Sequence, residues 1–242
     1  MTKILGIIQA RMGSTRLPRK VMLPLLDKPV IWRIYERLCS SKNIDQTCIS
    51  TSTNSLDDKI EEFAKKENIS YFRGSEEMIV NRLLNTAKKF KADAIVRVTG
   101  DCPLTDPKII DQLIQIYLEK QNCDFVSNTI ERTFPHGLDT EVISTDFLEV
   151  LDKKLQDAKT QESFIKYVNS NTKKFSCFNF AYNKNLSYLR WTLDYNEDYI
   201  FINKIYQNLY SKIHIFDMND ILNLLEKMPQ LSNINKQHMI YH

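Results

Sequence analysis

Apolar residues along this chain change their spacing several times, and each change marks an expected element. Residues 4–9 form a nearly unbroken apolar run of strand length, and 47–51, 70–72, 94–98 and 124–127 repeat that β-branched or apolar character. Between them, residues 30–40, 56–67, 76–89 and 107–120 carry apolar side chains at three- and four-residue intervals, as amphipathic helices do. Pro107 suits a first helical turn, with Thr105 or Asp106 before it as cap. This alternation over the first 130 residues predicts an α/β fold: a mostly parallel twisted sheet with helices on both faces, Rossmann-like, whose ligand site lies beyond the carboxyl ends of the strands.

After residue 130 the rhythm changes. Residues 137–144 read as a strand, 145–156 and 161–169 as helices, 175–182 and 189–193 as strands, and the remainder from Asp198 as two helices. Gly and Pro are sparse and no low-complexity linker or internal repeat interrupts the chain. One domain over 1–242 is therefore expected, with a small insertion after residue 130 beside the parallel sheet.

Composition narrows the function classes. With 242 residues, 43% hydrophobic and 26% charged, there is apolar material for a sizeable core. The net charge of only +3, with lysines scattered among acids, gives no case for a nucleic-acid partner and suits small anionic ligands. No stretch approaches the roughly 18 apolar residues of a membrane span, and Arg11 interrupts the first run too early for a signal peptide. Cytoplasm is the expected location. Cys39, Cys48, Cys102, Cys123 and Cys177 include no CxxC pair, and the four histidines are scattered with no HxH spacing, which argues against a disulfide framework and against transition-metal catalysis.

Four segments carry candidate chemistry. Directly after the first strand comes Gln9-Ala10-Arg11-Met12-Gly13-Ser14-Thr15-Arg16-Leu17-Pro18-Arg19-Lys20. Gly13 offers close approach or a positive backbone angle, Ser14 and Thr15 offer hydroxyls, and Arg11, Arg16, Arg19 and Lys20 are cationic donors, so the loop suits a triphosphate. It does not match the Walker pattern. Thr99-Gly100-Asp101-Cys102-Pro103-Leu104 follows the 94–98 strand and puts Asp101 where a parallel sheet presents ligand-binding groups; a carboxylate there can hold Mg2+. Leu193-Asp194-Tyr195 offers a second carboxylate from a distant segment. In Phe134-Pro135-His136-Gly137-Leu138-Asp139-Thr140-Glu141-Val142, Asp139 and Glu141 alternate onto one strand face, suited to sugar hydroxyls, to a second metal or to a base.

The strand followed by QARMGSTRLPRKV resembles the N-terminal signature of the cytidylyltransferases that include CMP-sialic acid and CMP-KDO synthetases, and particularly their spore-coat polysaccharide branch. Tyr71-Phe72-Arg73-Gly74-Ser75-Glu76-Glu77, Arg97-Val98-Thr99-Gly100-Asp101-Cys102-Pro103-Leu104 and Arg190-Trp191-Thr192-Leu193-Asp194-Tyr195 agree in the same order, as does the FPxGLDxEV pattern at 134–142. The resemblance implies a fold like the nucleotide-diphospho-sugar transferases and transfer of CMP from CTP to an acidic sugar or phosphorylated acceptor, with loss of pyrophosphate, in surface-glycan synthesis. It assigns Mg2+ to Asp101 and Asp194, and nucleotide binding to Ala10, Arg11, Gly13, Ser14, Arg16, Lys20, Arg73 and Thr99, with Arg82 more weakly. Lys20, Arg11 and Asp101 become the catalytic candidates, and Asp139, Glu141, Glu162 and Arg190 the acceptor-binding ones. It also implies a homodimer. One segment departs: where the branch reads REHVxPY, this chain has Gln161-Glu162-Ser163-Phe164-Ile165-Lys166-Tyr167, so the acceptor need not be the branch's own. The alternatives are a non-catalytic nucleotide-sugar-binding protein on the same fold, and a glycosyltransferase, for which Asp57-Asp58 makes a poor DxD motif at an expected helix start.

Overall fold

Alternation of side chains along β1 (Ile4–Gln9) explains why the sheet is covered twice. Ile4 and Ile8 belong to one buried cluster and Leu5 and Ile7 to another, because successive strand residues point to opposite faces. Full burial of one such side chain stabilises by about 1.5–3 kcal/mol. The computed structural model describes residues 2–238; Met1 and residues 239–242, the ends of the expected 1–242 domain, lie outside the described residues.

From β1 the chain passes through a loop and a 3-10 turn to a small hairpin, β2 (Pro24–Leu25) and β3 (Lys28–Pro29), and then to α1 (Val30–Cys39). Next come β4 (Gln46–Ser52), α2 (Asp58–Lys66), β5 (Ser70–Gly74), α3 (Ile79–Phe90), β6 (Ala94–Thr99), α4 (Pro107–Glu119) and β7 (Phe125–Ser127). The second part supplies β8 (Glu141–Ser144), α5 (Thr145–Lys154), two short helices α6 (Ala158–Glu162) and α7 (Phe164–Asn169), β9 (Cys177–Asn179), α8 (Asn196–Leu209) and α9 (Met218–Lys227).

Among the described residues the main sheet has seven strands in the order β5-β4-β1-β6-β8-β7-β9. Only β8 runs against its neighbours. Helices α1, α2, α4 and α8 bury Ile34, Phe63, Ile110 and Phe201 on one face, while α3, α5 and α7 bury Leu83, Leu148 and Phe164 on the other. The mostly parallel, two-sided sheet that the periodicity predicts is present. Asp106 is the cap of α4, accepting the Lys108 amide at 2.8 Å.

Four expected elements differ. The strand expected at 137–144 begins only at Glu141, because Gly137 has φ +103 and breaks the extended run. The helix expected at 161–169 is two helices parted at Ser163. The strand expected at 175–182 shortens to Cys177–Asn179. Residues 189–193 form no strand; they make one isolated β-bridge, Arg190 with His136 of the same chain. Among the described residues no helix is long and apolar enough to cross a membrane.

Candidate active site

The chain leaves β1 at the carboxyl edge of the sheet as a basic loop, residues 10–19, whose path is set mainly by backbone bonds. Ala10 N donates to Ser50 O at 3.1 Å and Arg19 N to Met12 O at 3.1 Å. Met12 N donates to a carboxylate oxygen of Asp57 at 2.6 Å. Asp57 is 1% exposed and also accepts the amide and hydroxyl of Ser52, which offsets much of the cost of burying its charge. Gly13 does not supply the expected positive angle. The left-handed residue is Arg19 (φ 61), and a Cβ on Gly13 would meet nothing nearer than Glu76 at 3.6 Å.

The β6 strand delivers Thr99-Gly100-Asp101 beside this loop. A Cβ on Gly100 would lie 2.8 Å from Val21 and 3.3 Å from the Ala10 Cβ, so the bare backbone is used for packing loop against turn and not for ligand room. Thr99 Oγ1 donates to Asp101 Oδ1 at 2.5 Å. Asp194 reaches the same place from far along the chain. Leu193 N donates to Asp101 O at 2.8 Å, and Trp191 N donates to His136 O at 2.7 Å. Gly137 lets that crossing occur, because any Cβ there would stand 2.5 Å from the Trp191 carbonyl carbon and the Thr192 nitrogen.

The two carboxylates converge on Lys20. Its ammonium nitrogen is 2.9 Å from Asp101 Oδ2 and 2.9 Å from Asp194 Oδ1. Burial alone would lower the Lys20 pKa, yet the charges and bonds of Asp101 and Asp194 hold it above its ordinary value. Burial likewise pushes the Asp101 carboxyl up, and Lys20 with the Thr99 hydroxyl brings it below the usual carboxylate value. Asp194 also carries Arg16 at 2.7 Å and Arg190 at 3.1 Å. A cleft of about 330 Å³ opens above, lined by Ala10, Arg11, Gly13, Ser14, Arg16, Lys20, Thr99 and Asp101 among others.

Three of the expected residues lie differently. Arg73 sits on the outermost strand, where its guanidinium donates to Ser52 O at 2.8 Å and pairs with Asp58 at 2.7 Å and Glu61 at 2.5 Å; it does not line the cleft. Arg190 faces inward instead of toward an acceptor. It binds Asp198 at 2.9 and 2.8 Å, and Asp198 in turn accepts the amides of Asp194 and Tyr195. Asp139 precedes the strand instead of alternating along it with Glu141. Both nevertheless line a second cavity of about 510 Å³, each with its own arginine: Arg132 grips Asp139 through two bonds of 2.5 and 2.6 Å, and Arg97 holds Glu141 at 2.8 Å. Burial pushes the Glu141 carboxyl up, against the pull of Arg97.

The profile of the Cytidylyltransferase family matches residues 5–240. The chain belongs to the cytidylyltransferase family. It is 32% identical over 237 residues to the spore coat polysaccharide biosynthesis protein SpsF of Bacillus subtilis, covering 95% of this chain and 96% of that one. A solved cytidylyltransferase from Leptospira borgpetersenii is 37% identical, covers both chains completely and superposes with a TM-score of 0.91. Two structures of lower identity share the fold. CMP:2-keto-3-deoxy-manno-octonic acid synthetase complexed with CTP is 16% identical with TM-score 0.65, covering 86% of this chain and 99% of that one. A Mycobacterium tuberculosis protein in complex with manganese is 16% identical with TM-score 0.61, covering 84% and 99%. This protein is thus a nucleotidyltransferase by family, on a fold that CTP-bound and manganese-bound proteins share.

Several side chains around the cleft were weak or silent in the sequence, Arg82 being only a minor nucleotide-binding candidate. Gln9, Glu76 and Arg82 join Ala10 and Arg11 around a small recess of about 130 Å³ beside the main cleft. Arg82 is 2% exposed, its NH1 donates to the carbonyls of Ser75 and Glu76, and its Nε is buried without a partner. Burial pushes its pKa down to about 10. Arg132, Lys166 and Asn169 in the second cavity carry no sequence signal, and Arg97 stood only within a matching segment. Asp57 was legible only as a helix-start acid.

Proposed function

We propose that the protein transfers CMP from CTP to an acidic small-molecule acceptor, an acidic sugar or phosphorylated compound, and releases pyrophosphate. The observation that carries this reading is the meeting of Asp101 and Asp194 on one Lys20 ammonium at the floor of a cleft whose wall is the basic loop. Arg11, Arg16 and Lys20 bind the triphosphate, with Gly13 and Ser14 of the same loop and Thr99 beside them. Positioning and charge stabilisation of this kind supply most of the acceleration in such transfers.

The donor set fits Mg2+. Two carboxylates reach one point already held by a positive charge, and hard oxygen ligands suit that ion. Among the described residues no group of three His, Cys, Asp or Glu gathers for a metal, so the rest of the coordination falls to phosphate oxygens and water. When bound, Mg2+ held by Asp101 and Asp194 would draw charge from the phosphate oxygens.

The small recess beside the cleft takes the cytosine. The partnerless Arg82 Nε is a donor suited to the base carbonyl, and this arginine replaces Arg73 in that role. The second cavity takes the acceptor: Asp139 and Glu141 receive hydroxyls, and Lys166, which has no carboxylate within ion-pair distance among the described residues, receives its anionic group. Arg190 serves the metal site instead, as a support for Asp194. We further place the enzyme in the cytoplasm, as a homodimer, in surface-glycan synthesis; the last rests on the named role of the Bacillus subtilis relative.

A coupled pyrophosphate assay crossing the four nucleoside triphosphates with a panel of acidic sugars and phosphorylated acceptors tests the function. Pyrophosphate release with CTP is the expected result. No release with any acceptor, or release of a nucleoside diphosphate, refutes it.

A further inference from the structure

We propose that Glu162 is the general base that takes the proton from an attacking acceptor hydroxyl, an inference that rests on the transfer reaction above. The nucleotide cleft and the acceptor cavity are separate spaces that share a boundary. Thr99 and Glu162 are the two side chains that line both. The bond being made joins an atom in one space to an atom in the other, so the group that takes the proton stands at that boundary. The Thr99 hydroxyl is already committed to Asp101 and has no basic site to offer. Glu162 is left.

The fold presents this carboxylate on purpose-built local structure. Gln161, 0% exposed, accepts the Asn81 amide at 3.2 Å and donates to Leu155 O at 2.8 Å, while Phe164 is buried at 1%. Between these two anchors the helix breaks at Ser163, and Glu162 at the end of α6 turns outward into the gap between the cavities. Its side chain is 66% exposed and is held by one contact, Arg11 at 3.5 Å. Triphosphate binding competes for that arginine, which frees the carboxylate where the acceptor arrives.

The other acids are less suited. Asp139 is gripped by both arms of Arg132, Glu141 is buried against Arg97, and both face the acceptor cavity alone. Asp101 is held by Lys20. The charged groups that share cavities with Glu162 are Arg11, Arg16, Lys20 and Asp101 in the cleft, Glu76 and Arg82 in the recess, and Arg97, Arg132, Asp139, Glu141 and Lys166 in the acceptor cavity. In the step itself the acceptor O–H bond breaks and its proton goes to a Glu162 oxygen. The freed oxygen forms the bond to the α-phosphorus, the bond from that phosphorus to the bridging oxygen breaks, and pyrophosphate leaves with the electron pair. The attacking group is thereby a hydroxyl, which an anionic sugar supplies, and not an already ionised phosphate.

The test uses the full chain with CTP, Mg2+ and whichever acidic sugar of the panel releases most pyrophosphate. Glu162→Gln is expected to lower kcat about 100- to 10,000-fold while the dissociation constant for CTP stays within about threefold, and to abolish the acid limb of the kcat profile. Glu162→Asp is expected to keep that limb at reduced rate. An unchanged kcat in Glu162→Gln, or a lowered kcat with the acid limb intact, overturns the base while leaving cytidylyl transfer standing, as does a panel whose best acceptor attacks through a phosphate oxygen. A wild-type enzyme that releases no pyrophosphate from CTP refutes the transfer reaction, and the base with it.

Discussion

The Asp57 carboxylate receives the Met12 amide at 2.6 Å, so the basic loop hangs from a buried acid in the turn between β4 and α2. Replacing Asp57 by Asn removes the charge that three donors share. About 1–3 kcal/mol of stability is expected to be lost, with a raised KM for CTP, read by urea unfolding and steady-state kinetics. An unchanged KM with normal stability would show that the loop holds itself.

Lys20→Ala should raise the barrier by roughly 3 kcal/mol, a fall in kcat of about 100-fold or more, by loss of one preorganised donor. Mg2+ should also raise the melting temperature of this variant more than that of the wild type, because Asp101 and Asp194 lose the ammonium they share. Thermal unfolding with and without the ion checks the second point.

Arg190→Ala leaves Asp198, which is fully buried, and Asp194 without their shared cation. Breaking such a pair costs about 3–5 kcal/mol. Arg190→Lys keeps the charge and loses the two-armed grip on Asp198, so it should fall between. Denaturant midpoints of the three proteins should rank in that order.

Asp139→Asn should weaken the acceptor alone. Loss of a charged hydrogen-bond partner of this kind is worth about 1.5 kcal/mol, roughly tenfold in KM for the acceptor. The KM for CTP should not move, and an equal rise in both would place Asp139 in the nucleotide site.

Burial pushes the Asp106 carboxyl above its ordinary value, only partly offset by the Met218 and Lys108 amides and Arg37. A carboxyl whose folded pKa is raised binds its proton more tightly in the folded state, so its contribution to stability declines as pH rises from the ordinary carboxylate value through the raised one. The stability of the wild type relative to Asp106→Asn should therefore fall across that window. Urea unfolding at a series of pH values measures it; a difference independent of pH would contradict the shift.

Strand and helix periodicity made the first half of the chain legible: β1 and α4 lie within a residue of their expected bounds because a two-sided sheet imposes strong apolar patterns. The later half was harder to read. Residues 189–193 are patterned like a strand, but they are held by two backbone bonds with His136 and one with Asp101, which no local pattern records. The loop, Asp101 and Asp194 stood out because charged groups at strand ends seldom serve packing. Arg82 stood out only weakly for the opposite reason, since a buried arginine on an amphipathic helix looks like any surface one. Arg73 lay in a matching segment, yet the acids of α2 claim it.

The single backbone bond from Leu193 to Asp101 has a consequence for biosynthesis. In a polypeptide growing from its amino end, the basic loop and Asp101 are made well before Asp194, the second carboxylate on the Lys20 ammonium. Until then the strand edge presents one carboxylate and a lysine to the solvent. Closure of this charged cluster is thus a late event, and it reports that Lys20 and Asp194, 174 residues apart in sequence, have met in space.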